Sequence, residues 1–237
     1  GNYNYGTMTL ESGSIVACDG NGGYGVRNYE NATFVMNGGS ISTSLEDDHL
    51  VNKGGYDATT LRVDYGAKAT INGGTITNVS NYTYALNNCG DTTINGGEMT
   101  SIHSTVSTYG TMTINGGSFT CNGLDGITAH ALIAWGGSET TINGGTFDGK
   151  DNYNGFNVNS TEDAVVNIYG GNFLNAHSGS LYGDGSIVVK GGEFFDDPSA
   201  RVAAGYSVVD NGNETYTVVN LRGSEVEIYG LTLKPNG

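Results

Sequence analysis

Basic residues are scarce: nine Lys and Arg stand against 24 Asp and Glu, a formal net charge of −15. Affinity for a phosphate backbone needs cations to displace counterions, so bulk charge argues against nucleic-acid binding and disfavours an anionic membrane surface. Apolar runs are short, and none approaches the ~18 residues of a membrane span. Gly1-Asn2-Tyr3 opens without a charged region and apolar core, so the sequence reads as an excised part of a larger multidomain chain, and any export signal would lie upstream. Cysteine is limited to Cys18, Cys89 and Cys121, an odd number without a CxxC, which excludes a disulfide-stapled scaffold and leaves small interior or turn positions. Glycine is plentiful at 40 residues, but it is periodic and accompanied by 37% hydrophobic residues, which argues against disorder.

The period is carried by a hexapeptide of the form apolar-x-Gly-Gly-x-apolar, which recurs eight times, the first copy degenerate as Leu10-Glu11-Ser12-Gly13-Ser14-Ile15. The second glycine falls at positions 13, 39, 74, 97, 117, 145, 171 and 192, so the intervals run from 20 to 35 residues. Such variation fits one coil of a solenoid with loops of unequal length. Three positions before this origin stand Leu10, Met36, Ile71, Ile94, Ile114, Ile142, Ile168 and Val189. Two positions after it stand Ile15, Ile41, Ile76, Met99, Phe119, Phe147, Phe173 and Phe194. Five before it stand Met8, Phe34, Ala69, Thr92, Met112, Thr140, Val166 and Ile187, so the motif alternates with the period of a strand. A second short strand is expected about a dozen residues earlier, at Leu61-Arg62-Val63, Tyr84-Ala85-Leu86, Ala131-Leu132-Ile133, Phe156-Asn157-Val158 and Ser180-Leu181-Tyr182, giving at least two strands per coil.

The paired glycines suit a sharp corner made close to the neighbouring coil. Asn37, Asn72, Asn95, Asn115 and Asn143 precede them at equivalent places, where stacked amides would satisfy one another's hydrogen bonds. The expected fold is all-β: a right-handed parallel β-helix of about eight coils over residues 1–195, a short capping helix and hairpin over 196–220, and added strands or a following module over 221–237. Asp197 as cap, Pro198 in the first turn and Gly205 after the last predict a helix from Pro198 to Ala204, which would cover the open last coil.

Phe195-Asp196-Asp197-Pro198-Ser199-Ala200-Arg201-Val202-Ala203-Ala204-Gly205-Tyr206, followed by Asp210-Asn211-Gly212-Asn213-Glu214-Thr215-Tyr216-Thr217-Val218, resembles the terminal segment of bacterial right-handed β-helix surface proteins. In that family a run of Gly-Gly-Thr/Ser-Phe motifs closes with a DPS-x-x-VA-x-GY element and a D/N-G-x-x-T-Y-T-V hairpin. The resemblance covers most of the chain. It implies an extracellular setting at a bacterial cell surface or cell wall, and binding to a host protein, immunoglobulin among the candidates, or to a glycan. It carries no catalytic motif.

The pectate-lyase-like superfold also hosts enzymes that cut acidic polysaccharides, which need clustered carboxylates and a basic residue. The best such cluster is Asp47, Asp48 and His49 with Arg62 and Asp64 in the longest interval, and it defines the alternative reading as a lyase or hydrolase. Glu46-Asp47-Asp48 is more simply explained as a solvated loop, and Asp196-Asp197 as part of the helix cap. His49, His103, His130 and His177 lack metal-ligand spacing and read as polar surface or loop residues, so neither a metal nor another cofactor is expected. Gly20 to Gly25 has no helix after it and is a poor phosphate loop. An ice-binding face is weaker still, because Glu98 and Glu193 interrupt the column Ser14, Ser40, Thr75, Ser118, Thr146 and Asn172; a structural stalk remains the plainest alternative.

Aromatics give a better lead. Tyrosine outnumbers phenylalanine 15 to 7, and many tyrosines fall in loops or outward positions. Trp135 and Tyr182 both stand ten residues before a glycine origin, which predicts one face of a monomeric rod, with Tyr109 and Tyr153 nearby. Tyr and Trp suit a surface that is both apolar and hydrogen-bonding. Trp135, Tyr182, Tyr109 and Tyr153 are therefore the candidate binding residues of a non-catalytic, adhesin-like module.

Overall fold

The computed structural model describes residues 1–18, 23–44, 59–79, 83–123, 128–150, 155–221, 226–228 and 231–233. The chain is all-β and built on long parallel sheets. The first sheet stacks Asn2–Asn4, Val26–Asn28, Leu61–Val63, Leu86–Asn88, Val106–Thr108, Leu132–Ala134, Phe156–Ser160 and Gly179–Tyr182. The second stacks Thr7–Leu10, Thr33–Met36, Lys68–Ile71, Asp91–Ile94, Thr111–Ile114, Glu139–Ile142, Val165–Ile168 and Ser186–Val189. The third stacks Ser14–Cys18, Ser40–Ser44, Thr75–Asn78, Glu98–Ser101, Ser118–Cys121, Thr146–Asp148, Asn172–Phe173 and Gly192–Phe194. Neighbours in each sheet are three strands apart in sequence, so the chain visits the three sheets in turn and returns one layer further along. A β-helix solenoid requires this order.

Each layer therefore holds three strands, in keeping with the expectation of at least two, because the paired glycines break the motif between the second and third sheets. The second glycine of the pair lies at positive φ, from +79° at Gly39 to +115° at Gly171. At Gly74, with φ +91°, a Cβ would also stand 2.6 Å from the Gly39 carbonyl oxygen one layer away. Gly74→Ala is expected to cost ~1–3 kcal/mol through strain and overpacking. An unchanged urea midpoint would show that the corner tolerates a side chain.

The alternation seen in the sequence sets the inside. Phe34, Met36, Ile71, Ile94, Ile114, Ile142, Ile168 and Val189 of the second sheet are buried, as are Ile41, Ile76 and Met99 of the third. Phe119, Phe147, Phe173 and Phe194 then continue the third-sheet column as a stack with centroid separations of 4.9, 5.0 and 4.5 Å. At the corner between the first and second sheets buried asparagines serve backbone acceptors: Asn28 Nδ2 donates to Lys68 O at 2.8 Å and Asn88 Nδ2 to Thr111 O at 3.0 Å. Outside, the expected amide ladder is present. Asn143, Asn115, Asn95 and Asn72 each donate from Nδ2 to the Oδ1 of the asparagine one layer before, at 2.8 Å, and Asn37 ends the row on the Glu11 carboxylate at 2.9 and 3.0 Å. Cys89 and Cys121 are buried, matching the expectation of small interior positions.

The segment after Phe194 differs from the helix expected over Pro198 to Ala204. Only a 3-10 turn forms there, Ser199–Arg201, with Asp197 Oδ1 accepting the Ser199 N–H at 2.9 Å. The chain becomes extended at Val202 because it pairs with the second-sheet edge: Val202 bridges Val189, and Ala203 N–H donates to Val189 O at 2.9 Å. Asp196 takes no part in a helix cap; its carboxylate accepts the Ser180 N–H at 3.1 and 3.2 Å. Tyr206–Asp210 and Tyr216–Asn220 form the expected hairpin, and the latter pairs antiparallel with Gly192–Phe194, extending the third sheet. Val226–Ile228 and Leu231–Leu233 form a separate antiparallel pair.

Candidate functional site

The outward row of the first sheet runs Tyr3, Arg27, Arg62, Asn87, Ser107, Ile133, Asn159 and Tyr182, each in register with the next. Asn87, Ser107 and Ile133 are nevertheless buried, because side chains from both margins of the sheet rise over them. Residues immediately after the strands form one margin. Tyr29, Asp64, Cys89, Tyr109 and Trp135 each donate a backbone N–H to the last strand residue one layer before, at 2.7 to 3.0 Å, and so form a continuous column. Tyr29 stacks on Tyr5 at 4.4 Å and Tyr109 on Trp135 at 5.6 Å, with an interplanar angle of 8° for the second pair. Between these two aromatic pairs stand the smaller Asp64 and Cys89, which leave a gap.

On the opposite margin Tyr24 and Tyr84 each stand two residues before a strand. Their intervening counterpart is the small Thr59, so the two rings have room to lie along the sheet edge. The result is a cleft of about 550 Å³. Its floor is Arg27, Arg62 and Asn87; Tyr24 and Tyr84 line one side, and Tyr65, Cys89, Tyr109 and Trp135 the other.

Each of these groups is held. Arg27 Nε and Arg62 Nε donate to the two oxygens of Asp64 at 2.8 and 2.9 Å. The Arg27 guanidinium also lies over the rings of Tyr24 and Tyr29, at 5.2 and 4.5 Å. Trp135 Nε1–H donates to Ser107 Oγ at 3.0 Å, which fixes the indole over the floor. Burial pushes the Cys89 thiol up, the opposite of what a thiolate nucleophile requires.

Of the sequence-derived candidates, the structure brings Trp135 and Tyr109 together in this cleft, and Arg62 and Asp64 beside them. Tyr182 belongs elsewhere. It is in register with Asn159 and Ile133, not with Trp135. Counting back from the glycine origin misplaces it because Glu139 follows Ile133 by six residues, whereas Ser186, its equivalent, follows Tyr182 by four. Tyr182 instead stacks on Phe156 at 4.3 Å, with 55% of its surface exposed. Tyr153, Asp47 and Asp48 lie outside the described residues. Among the described residues no group of three or more His, Cys, Asp and Glu could hold a metal ion, and no helix is long and apolar enough to cross a membrane.

Sequence reasoning missed Arg27, and it missed that Tyr24, in the connection before Val26–Asn28, is buried. The available signal was the residue just after each short strand, as in Val26-Arg27-Asn28-Tyr29, Val106-Ser107-Thr108-Tyr109 and Leu132-Ile133-Ala134-Trp135. His130, expected as a surface or loop residue, does lie in a connection between strands, but it is enclosed there. It is 4% exposed, its Nδ1 accepts the Phe156 N–H at 3.2 Å, and its Nε2 faces the Asn159 side-chain amide at 3.0 Å. With Nδ1 accepting, the neutral ring carries its proton on Nε2. Turning the Asn159 amide by 180° lets Oδ1, otherwise without a partner, accept that proton.

Compared with known protein families, with curated proteins and with solved structures, the chain matches none.

Proposed function

We propose that this chain is a non-catalytic binding module of a bacterial surface protein and that it holds a glycan in the cleft on the first sheet. The supporting observation is the cleft itself: a hollow with tyrosine rings on both sides, tryptophan on one of them, and a polar floor. A pyranose ring presents apolar C–H faces and hydroxyl edges, so it complements aromatic walls and a floor of Arg and Asn. A recessed cleft of about 550 Å³ suits a sugar ring better than the broad surface of a host protein such as immunoglobulin. A non-catalytic role is supported by Asp64, both of whose oxygens already accept guanidinium N–H bonds.

We further read the scaffold as a right-handed parallel β-helix of about eight coils ending in the Ser199–Arg201 turn and its hairpin. Right-handedness is the strong preference of crossovers between parallel strands of one sheet. Such a frame fixes the cleft walls in advance, so little ordering entropy is lost on binding.

Trp135→Ala is expected to weaken glycan binding at least tenfold in titration calorimetry while leaving the far-UV β signal unchanged. Mixed plant and mucin polysaccharides, assayed in parallel for depolymerisation, test the alternative. Release of sugar fragments would overturn the non-catalytic reading; capture of a serum protein without glycan binding would move the partner to the protein class.

A further inference from the structure

The chain has only nine cationic residues, yet Arg27 and Arg62 occupy directly opposed positions on adjacent strands of the cleft floor. Adjacent strands are ~4.8 Å apart, and like charges in direct register are destabilising. Asp64 offsets only one of the two charges. Among the described residues, each guanidinium spends only its Nε–H on Asp64 at 2.8 or 2.9 Å, which leaves the Nη groups of both without a protein hydrogen bond. Both side chains remain partly accessible, at 30% and 25%. Among the described residues, the charge left over is held against the Tyr24 and Tyr29 rings and not by a second carboxylate, so it stays available to an anion.

We propose that Arg27 and Arg62 form an anion subsite within the cleft, so that the ligand is an acidic glycan whose carboxylate or sulfate bridges the two guanidinium groups while its sugar rings stack on the flanking aromatics. This rests on the glycan reading above and narrows its ligand class. Guanidinium Nη–H groups pair with planar carboxylates and with sulfates by two parallel hydrogen bonds, which gives the subsite directional as well as charge recognition. A chain of net charge −15 repels anions at long range, so recognising one requires such a local excess of positive charge. Tyr24 and Tyr29 hold the Arg27 guanidinium from two sides and Asp64 orients both Nε atoms, so the forks are placed before the ligand arrives.

The test uses the whole chain and four probes: a uronic-acid oligosaccharide, its carboxyl-reduced neutral counterpart, a sulfated oligosaccharide and its desulfated counterpart. Binding is followed by titration calorimetry. At least one acidic probe should bind tenfold or more tighter than its neutral counterpart, and which pair shows the preference identifies the anion. Arg62→Gln should abolish the preference. Arg27→Gln should likewise reduce the preference while sparing affinity for the neutral probes, a selective loss that a purely structural role for the ion pair would not produce. Far-UV circular dichroism verifies that each variant folds. Equal affinity for acidic and neutral probes, lost in Trp135→Ala, would overturn the anion subsite and leave the glycan reading standing. Absence of binding to all four probes and to neutral glycans generally would overturn both.

Discussion

Phe147→Ala should lower the stability of this protein by about 3–5 kcal/mol, the range for truncating a fully buried phenylalanine. The upper half of that range is expected. Phe147 is fully buried, and its ring lies between Phe119 at 4.9 Å and Phe173 at 5.0 Å. Removing it takes away burial and two stacked contacts at once. The surroundings cannot close the void, because Thr146–Asp148 is held in register by parallel strands on both sides. Phe147→Leu keeps more of the volume and should cost less than half as much. Urea unfolding followed by circular dichroism distinguishes the two; equal midpoints for wild type and Phe147→Ala would mean that the aromatic column does not carry the core.

Acidification should produce the second large effect, through His130. Burial, and secondarily the proximity of His103, pulls its pKa down to about 4 from the ordinary 6.5. The folded pKa lies below the unfolded one, so between these values the unfolded chain binds a proton that the folded chain does not. Stability is therefore complete above about pH 6.5, declines as pH falls through the window, and has lost this contribution below about pH 4. A difference of about 2.5 units corresponds to about 3 kcal/mol. His103, also lowered by burial, acts in the same direction. The structural reason is specific: a protonated His130 can no longer accept the Phe156 N–H at Nδ1. Because the carboxylates of so acidic a chain also titrate near the lower limit, the comparison is with His130→Gln. Wild type should lose about 3 kcal/mol more than the variant between pH 7 and pH 4. Parallel losses would show that His130 is not the group responsible.

The cleft was only partly legible before its geometry was known. Trp135 and Tyr109 stood out as aromatics near outward positions, and both line it. Tyr182 was grouped with them because distances were counted from the glycine corner. The connection from the first to the second sheet varies by two residues between layers, so phase is lost across it. Arg27 was missed because the strand Val26–Asn28 was not among those read from the repeat. Its role follows from standing opposite Arg62 across a strand pair, two residues separated by 35 positions along the chain.

The sequence alone determined the inside of this protein. A side chain on a strand must face one way or the other, and an apolar column repeated at the Gly-Gly corner leaves a single choice of which face is buried. The amide ladder followed for the same reason, since equivalent asparagines beside equivalent corners must stack. Tertiary structure alone decided the outside. Whether Val202 continued a helix or paired with Val189, whether His130 was solvated or enclosed, and whether Tyr24, Arg27 and Trp135 met in one cleft all depended on the lengths of the connections between sheets. Core positions are fixed by a repeating local constraint, whereas surface sites are assembled from layers whose connections do not repeat.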